Sequence, residues 1–204
     1  MADPVHKVTL LAEAALPTRF GSFDMAVFEV EGAPGEIAAL TRGMLHGELP
    51  PLVRLHSECL TGDVLGSLRC DCGQQLEAAL TLMAEAPSAV LLYLPQEGRG
   101  IGLANKIRAY ALQDRGLDTV DANLALGLPV DRRDYAAAAH VLRSLGLNRV
   151  RLLTNNPLKS EALLRHGIEV VERVPLTIPP NNVNRRYLRT KADRMGHLLA
   201  LESI

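Results

Sequence analysis

The chain has no tryptophan among its 204 residues, and its phenylalanines are only Phe20, Phe23 and Phe28. So small an aromatic supply excludes a stacking platform for single-stranded nucleic acid. A dominant charge is also missing. Twenty-two basic against 23 acidic side chains leave a formal net charge of -1, so no bulk attraction to nucleic acid or to an anionic membrane follows. No apolar run is long enough to span a bilayer, and the start, Met1-Ala2-Asp3-Pro4-Val5-His6-Lys7, has no apolar signal core. There is no internal repeat and no low-complexity linker. Cysteine is absent outside residues 59–72, and an odd count of 3 suits a reducing compartment better than a disulfide framework. A cytoplasmic protein is the expectation, with no nucleic-acid or membrane partner.

Hydrophobic residues make up 48% of the chain, enough for a substantial core in one domain over residues 1–204. Within it, residues 1–50 read as a strand-rich part and 51–204 as the catalytic part. Val8–Leu11, Met25–Val30 and Ile37–Leu40 read as strands between glycine and proline turns, followed by Val53–His56. From Gly73 the period changes. Leu76, Ala79, Leu80 and Met83 recur at helical spacing, as do Ile101, Ala104, Ile107 and Ala111, and then Tyr135, Ala138, Ala139 and Leu142. Strands Ala89–Leu94, Val150–Leu153 and Ile168–Val174 alternate with these helices and with one over Pro157–His166. The alternation predicts an α/β fold, a mixed sheet with helices on both faces. The early strands are expected to pack on the same sheet. The tail from Arg185 to Leu199 reads as a helix, with Tyr187, Leu188, Met195 and Leu198 as its apolar contacts.

The three cysteines are Cys59, Cys70 and Cys72. Three thiolates can hold one zinc and leave its fourth position to water, which distinguishes a catalytic site from a closed structural one. An open zinc lowers the pKa of bound water to about 7, so the cluster points to metal-assisted hydrolysis. His56 could serve as a fourth ligand and close the site; its place only three residues before Cys59, and the three thiols already present, argue against it. His56-Ser57-Glu58 also mimics the H-x-E of zinc nucleobase deaminases. The later pair, Cys70-Asp71-Cys72, is one residue too close for that family and has no preceding proline.

Gln96-Glu97-Gly98-Arg99-Gly100-Ile101-Gly102 lies between a strand and a helix. Such a turn offers free backbone N–H groups to an anion, and Arg99 adds a planar donor fork. In Thr154-Asn155-Asn156-Pro157-Leu158-Lys159, Asn at the cap and Pro at the first position start a helix. Lys159 then falls in the first turn, where acidic residues are normally preferred, which suggests a bound anion there. Asp131, in Pro129-Val130-Asp131-Arg132-Arg133, reads as the N-cap of the helix that follows, with Arg133 either a surface charge or a working residue.

Taken together, these segments resemble the GTP cyclohydrolase II family in its monofunctional form. The likeness runs from about Val53 to Leu199 and is strongest in Arg54–Asp63, Leu68–Gly73, Gln96–Leu103 and Leu153–Pro157. The resemblance implies a zinc-dependent enzyme of riboflavin biosynthesis. Its members hydrolyse GTP at C8 and release formate and pyrophosphate, leaving a diaminopyrimidinone ribosyl phosphate. It implies that Cys59, Cys70 and Cys72 hold zinc, one per subunit, and that Mg²⁺ accompanies the GTP phosphates. Arg54, Leu55, His56, Ser57, Glu58, Gln75, Glu97, Gly98, Arg99, Thr119, Thr154 and Lys159 would contact the nucleotide. Asp131 matches a proton acceptor, Arg133 a proposed nucleophile and Tyr110 a tyrosine near the reacting base. A homodimer is the expected assembly. Two enzyme-free readings stand beside this one, a GTP-binding regulator and a purely structural zinc protein. A related cyclohydrolase that keeps the formyl group is a further alternative.

Overall fold

The computed structural model describes residues 6–198. Seven strands form one sheet: β1 (Val8–Thr18), β2 (Gly21–Val30), β3 (Ile37–Gly43), β4 (Leu52–Ser57), β5 (Ser88–Leu94), β6 (Arg149–Leu153) and β7 (Glu169–Val174). Their spatial order is β1-β2-β3-β5-β4-β6-β7. The sheet is mixed, as the alternation of elements predicts. β1, β2, β3 and β5 pair antiparallel in that order, and β4–β6 and β6–β7 are parallel. The early strands therefore extend the sheet edgewise. Six helices accompany them: α1 (Cys72–Glu85), α2 (Leu103–Gln113), α3 (Thr119–Ala125), α4 (Ala136–Ser144), α5 (Pro157–Arg165) and α6 (Arg185–Met195).

The described residues divide into two compact units. One comprises residues 6–56, Glu77–Pro95 and Asp134–Leu176, and carries the sheet with α4 and α5. The other comprises Ser57–Leu76, Gln96–Arg133 and residues 177–198, and carries α2, α3 and α6. The chain passes between them at the end of β4, within α1, after β5, before α4 and after β7.

In the first unit, β4 and β5 are buried along nearly their whole length; β5 accordingly reads as a continuous apolar run, while β4 buries Arg54 and His56 among its apolar residues. Val53, Leu55, Val90, Leu92, Val150 and Leu152 meet Ala138, Ala139 and Leu142 of α4 and Leu163 of α5. The stripe expected on α4 is thus its core face. β1 is longer than the four residues its sequence predicts. Alanine-rich Ala12–Ala15 has little strand preference of its own, but pairing with β2 overrides that. The turn Arg19-Phe20 is closed by Thr18 Oγ1, which donates to the Gly21 carbonyl at 2.7 Å.

Three local expectations are corrected. Asp131 does not cap α4, which begins five residues later; there the Asp134 carboxylate accepts from Ala136 N at 2.9 Å. The tail helix stops at Met195, because Gly196 turns left-handed with φ +65° and ends it; Leu198 follows outside the helix and is exposed, while Leu199 lies outside the described residues. On α2, Ile107 is 48% exposed and Ala104 and Ala111 are exposed too, while Lys106 and Ala109 form the buried face. The stripe was therefore on the wrong side, because the ammonium of Lys106 finds ionic partners inside.

In the second unit α2 packs on α3 and α3 on α6. Asp118 caps α3, accepting from Val120 N at 2.8 Å and Asp121 N at 2.9 Å. Arg194 of α6 bonds Asp118 and also Asp121, and Arg186 of α6 donates to the Gly116 carbonyl at 2.8 Å.

Candidate active site

The second unit gathers the cysteines around a short π-helical turn, Leu60–Val64, and the start of α1. The sulfur atoms of Cys59, Cys70 and Cys72 lie within 4.8 Å of one another, and no other group of metal-binding side chains occurs among the described residues. The Cys59 and Cys70 sulfurs are 3.7 Å apart. Tetrahedral thiolates about 2.3 Å from a zinc ion stand roughly 3.8 Å from one another, so the spacing fits. Gly62 faces all three residues. A Cβ there would come within 2.8 Å of the Cys70 sulfur and 3.1 Å of the Cys59 sulfur. Gly73 allows the approach, since a Cβ there would collide with the Gly62 carbonyl oxygen. Two glycines thus keep a cradle open beside three soft donors. His56, the candidate fourth ligand, is not part of the group; its ring stacks on Tyr93 with centroids 5.5 Å apart.

A buried lysine, absent from the sequence reading, stands behind the cluster. Lys106 Nζ donates to the Cys59 sulfur at 3.0 Å and to Glu97 Oε1 at 2.8 Å. Burial works against the charge on this ammonium, but the thiolate and the carboxylate outweigh it and hold the group charged. Hydrogen bonds from Cys70 and Cys72, with a further one from Lys106, hold the Cys59 thiol well below its ordinary range. Glu97 also accepts from Leu60 N at 2.7 Å and Gly98 N at 2.8 Å, so it ties the glycine-rich turn to the cysteine turn. Glu58, one residue before Cys59, has its carboxyl pushed up by burial and by the charges of Glu97 and Asp63. Burial pushes the Tyr110 hydroxyl up to about 12, so it keeps its proton at neutral pH.

The turn after β5 is tight and rich in left-handed backbone. Gly98 and Arg99 are both left-handed, with φ +62° and +61°, and Gly102 precedes the first residue of α2. The Arg99 carbonyl accepts from Arg132 N at 3.1 Å, which joins this turn to the segment carrying Asp131 and Arg133. Those two residues form a bidentate pair: Arg133 Nε donates to Asp131 Oδ1 at 2.9 Å and a terminal nitrogen to Oδ2 at 2.5 Å. Burial works against the Asp131 carboxylate, but Arg133 outweighs it and holds the group below its usual range. Ser57 donates to Gln96 Oε1 at 3.0 Å, and Gln75 donates to Asp71 Oδ2 at 2.5 Å. Thr119 is the first residue of α3, directly after its cap.

The second unit thus holds the cysteines together with Ser57, Glu58, Gln75, Glu97, Gly98, Arg99, Tyr110, Thr119, Asp131 and Arg133. Arg54, Leu55, His56, Thr154 and Lys159 belong to the first unit, where most are drawn together. Arg54 donates to the Leu153 carbonyl at 3.0 Å, and Lys159 Nζ to the Leu55 carbonyl at 2.7 Å. Lys159 is buried and stands over the Tyr135 ring at 5.6 Å, so it is not a surface cation at a helix start. Asn156 does cap α5, accepting from Leu158 N at 3.0 Å. Sequence reasoning missed Lys106, Asp71, Gly62 and Gly73. The two glycines beside the cysteines carried a readable signal, since a metal turn must admit close backbone approach.

Fold and site together define a mixed α/β protein with three clustered cysteines that fit a metal site, backed by a buried cation and flanked by a glycine-rich turn. The chain belongs to the GTP cyclohydrolase II family, whose model matches residues 9–175. It is 54% identical over 195 residues to a GTP cyclohydrolase-2 of Histophilus somni (strain 2336), covering 96% of this chain and 90% of that protein. With a GTP cyclohydrolase-2 of Escherichia coli O9:H4 (strain HS) it shares 58% identity over 189 residues, 93% of this chain and 96% of that one. Among solved structures it resembles a two-domain 3,4-dihydroxy-2-butanone 4-phosphate synthase from A. baumannii at a TM-score of 0.44 and 24% identity. That likeness covers 82% of this chain and 40% of the other, and is too distant to bear on function.

Proposed function

We propose that this chain is an enzyme that hydrolyses GTP at C8 and releases formate and pyrophosphate. The product is 2,5-diamino-6-(5-phospho-ribosylamino)pyrimidin-4(3H)-one, and the reaction opens riboflavin biosynthesis. The observation that carries the reading is the cluster of Cys59, Cys70 and Cys72 within 4.8 Å, in a chain of this family. Bound there, one zinc per chain would supply a Lewis acid that makes water a nucleophile at neutral pH. Lys106 donates to the Cys59 sulfur and so favours its thiolate, and Gly62 keeps the space beside the sulfurs free of side chains. Glu58, its carboxyl lifted by burial and by the charges of Glu97 and Asp63, is the candidate proton carrier, while Tyr110 keeps its proton and can offer it as a hydrogen bond.

The nucleotide is assigned to Arg54–Glu58, Gln75, Glu97–Arg99, Thr119, Thr154 and Lys159, with Mg²⁺ on its phosphates. Pyrophosphate departure from the α-phosphate builds negative charge that Arg99 and Lys159 can spread. Arg133 acts here as a charge stabiliser. Attack by its guanidinium would first require giving a proton to Asp131. From the ordinary values of the two groups alone, that transfer costs on the order of 12 kcal/mol, and the bidentate pair deepens the cost. Arg133→Lys with substantial turnover and no trapped adduct is the expected outcome; isolation of a nucleotidyl-arginine adduct would reverse the assignment. The protein is further assigned to the cytoplasm and to a homodimer. Apolar side chains left exposed on the second unit, among them Val64, Leu65, Leu68 and Ile107, support the dimer. No helix among the described residues is long and apolar enough to cross a membrane.

The test is a discontinuous assay with metal-loaded protein, GTP and Mg²⁺ in which formate and pyrophosphate are scored separately. Equal yields are expected. Pyrophosphate without formate would mean that the formyl group is retained, and GTP binding with neither product would make the protein a regulator.

A further inference from the structure

The C-terminal helix α6 lies past residue 175, where the family match ends. It is a polar helix, yet it buries Lys191 together with Leu188 and Thr190. Lys191 Nζ is 3.0 Å from Asp71 Oδ1, with the two side chains only 11% and 4% exposed. Asp71 is the residue between Cys70 and Cys72, and its other oxygen accepts from Gln75. A carboxylate buried this deeply is stable only with a cation and hydrogen-bond donors around it. Lys191 also stands over the Tyr187 ring, 4.7 Å from its centroid. The Tyr187 hydroxyl in turn accepts from Arg99 at 3.1 Å. Arg99 is the one non-glycine residue with positive φ among those described, a conformation that L residues keep only where neighbours fix it.

We propose that Tyr187 and Lys191 are positioning residues of the nucleotide site, supplied by α6. Lys191 fixes the Asp71 carboxylate, and through it the turn bearing Cys70 and Cys72 and the amide of Gln75. Tyr187 holds the Arg99 guanidinium on its strained backbone. Neither residue needs to touch substrate. The inference rests on the assignment of Arg99 and Gln75 to GTP.

Five variants test it. Tyr187→Phe removes a single hydroxyl and is expected to raise KM for GTP about tenfold, the worth of one hydrogen bond to a charged group, with a smaller effect on kcat. Lys191→Met leaves Asp71 uncompensated and is expected to lose its metal to a chelator at least about tenfold faster than the parent, whereas Lys191→Arg, which keeps a cation, retains it. Arg99→Ala and Gln75→Ala are run alongside. If they raise KM while Tyr187→Phe does not, and Lys191→Met keeps its metal, the positioning role is overturned and the nucleotide assignment stands. If Arg99→Ala, Gln75→Ala and Tyr187→Phe all leave KM unchanged, the nucleotide assignment itself has failed and the inference falls with it. Should Lys191→Met not fold, Tyr187→Phe decides.

Discussion

Burying a lysine costs several kcal/mol unless its charge is answered, and Lys106 is answered twice, by Glu97 and by the Cys59 sulfur. Both Lys106 and Glu97 side chains are 10% exposed. Lys106→Met would leave the Glu97 carboxylate buried with only backbone donors from Leu60 and Gly98. Losing one member of such a pair costs about 3–5 kcal/mol, which in a chain of this size lowers the melting temperature by roughly 10 °C. Thermal unfolding followed by circular dichroism checks this, and adding Glu97→Gln should recover part of the loss. A melting temperature within a degree of the parent would show the pair to be dispensable. The three thiols were legible at this scale because cysteine is rare and clustered. Lys106 was not, because a lysine on an amphipathic pattern reads as solvated surface until its partners, 9 and 47 residues away in sequence, are seen in space.

Among the elements, α3 shows how a short helix is placed. Asp118 caps it through two backbone N–H groups and pairs with Arg194 of α6. Burial raises the Asp118 carboxyl somewhat, but the Asp121 amide, Arg194 and the Val120 amide outweigh that and leave it below its ordinary range. A depressed carboxyl stabilises the fold above its unfolded value, near pH 4, and the contribution fades as pH falls through the folded value. Asp118→Ala should therefore cost about 1 kcal/mol at pH 7, with the difference in melting temperature shrinking below about pH 4. A difference that persists unchanged at pH 2 would remove the ionised cap from the account. Strand and helix identities followed from periodicity, but faces and ends did not. Helix α2 turns its apolar stripe outward because ionic partners draw Lys106 in, and Asp131 is taken by Arg133, while the first amide of α4 is met by Asp134.

Across the whole molecule, the alternation of strands and helices after residue 73 announced a mixed α/β sheet. The early strands join that same sheet, as expected, but their order at its edge depends on pairing partners rather than on composition and was not legible. The division into two units was equally hidden, because each is assembled from three separate stretches of chain. The candidate site was legible where motifs are local, as in residues 54–59 and 96–102. It was opaque where a helix arriving more than a hundred residues later supplies Lys191 to Asp71.

The claim on which the rest depends is that Cys59, Cys70 and Cys72 hold one metal ion and that formate release requires it. The most direct measurement is elemental analysis of purified protein alongside its formate yield from GTP, for the parent and for Cys70→Ser. One zinc per chain with formate production in the parent, and the loss of both in the variant, is the expected result. An unchanged formate yield from metal-free Cys70→Ser would contradict it.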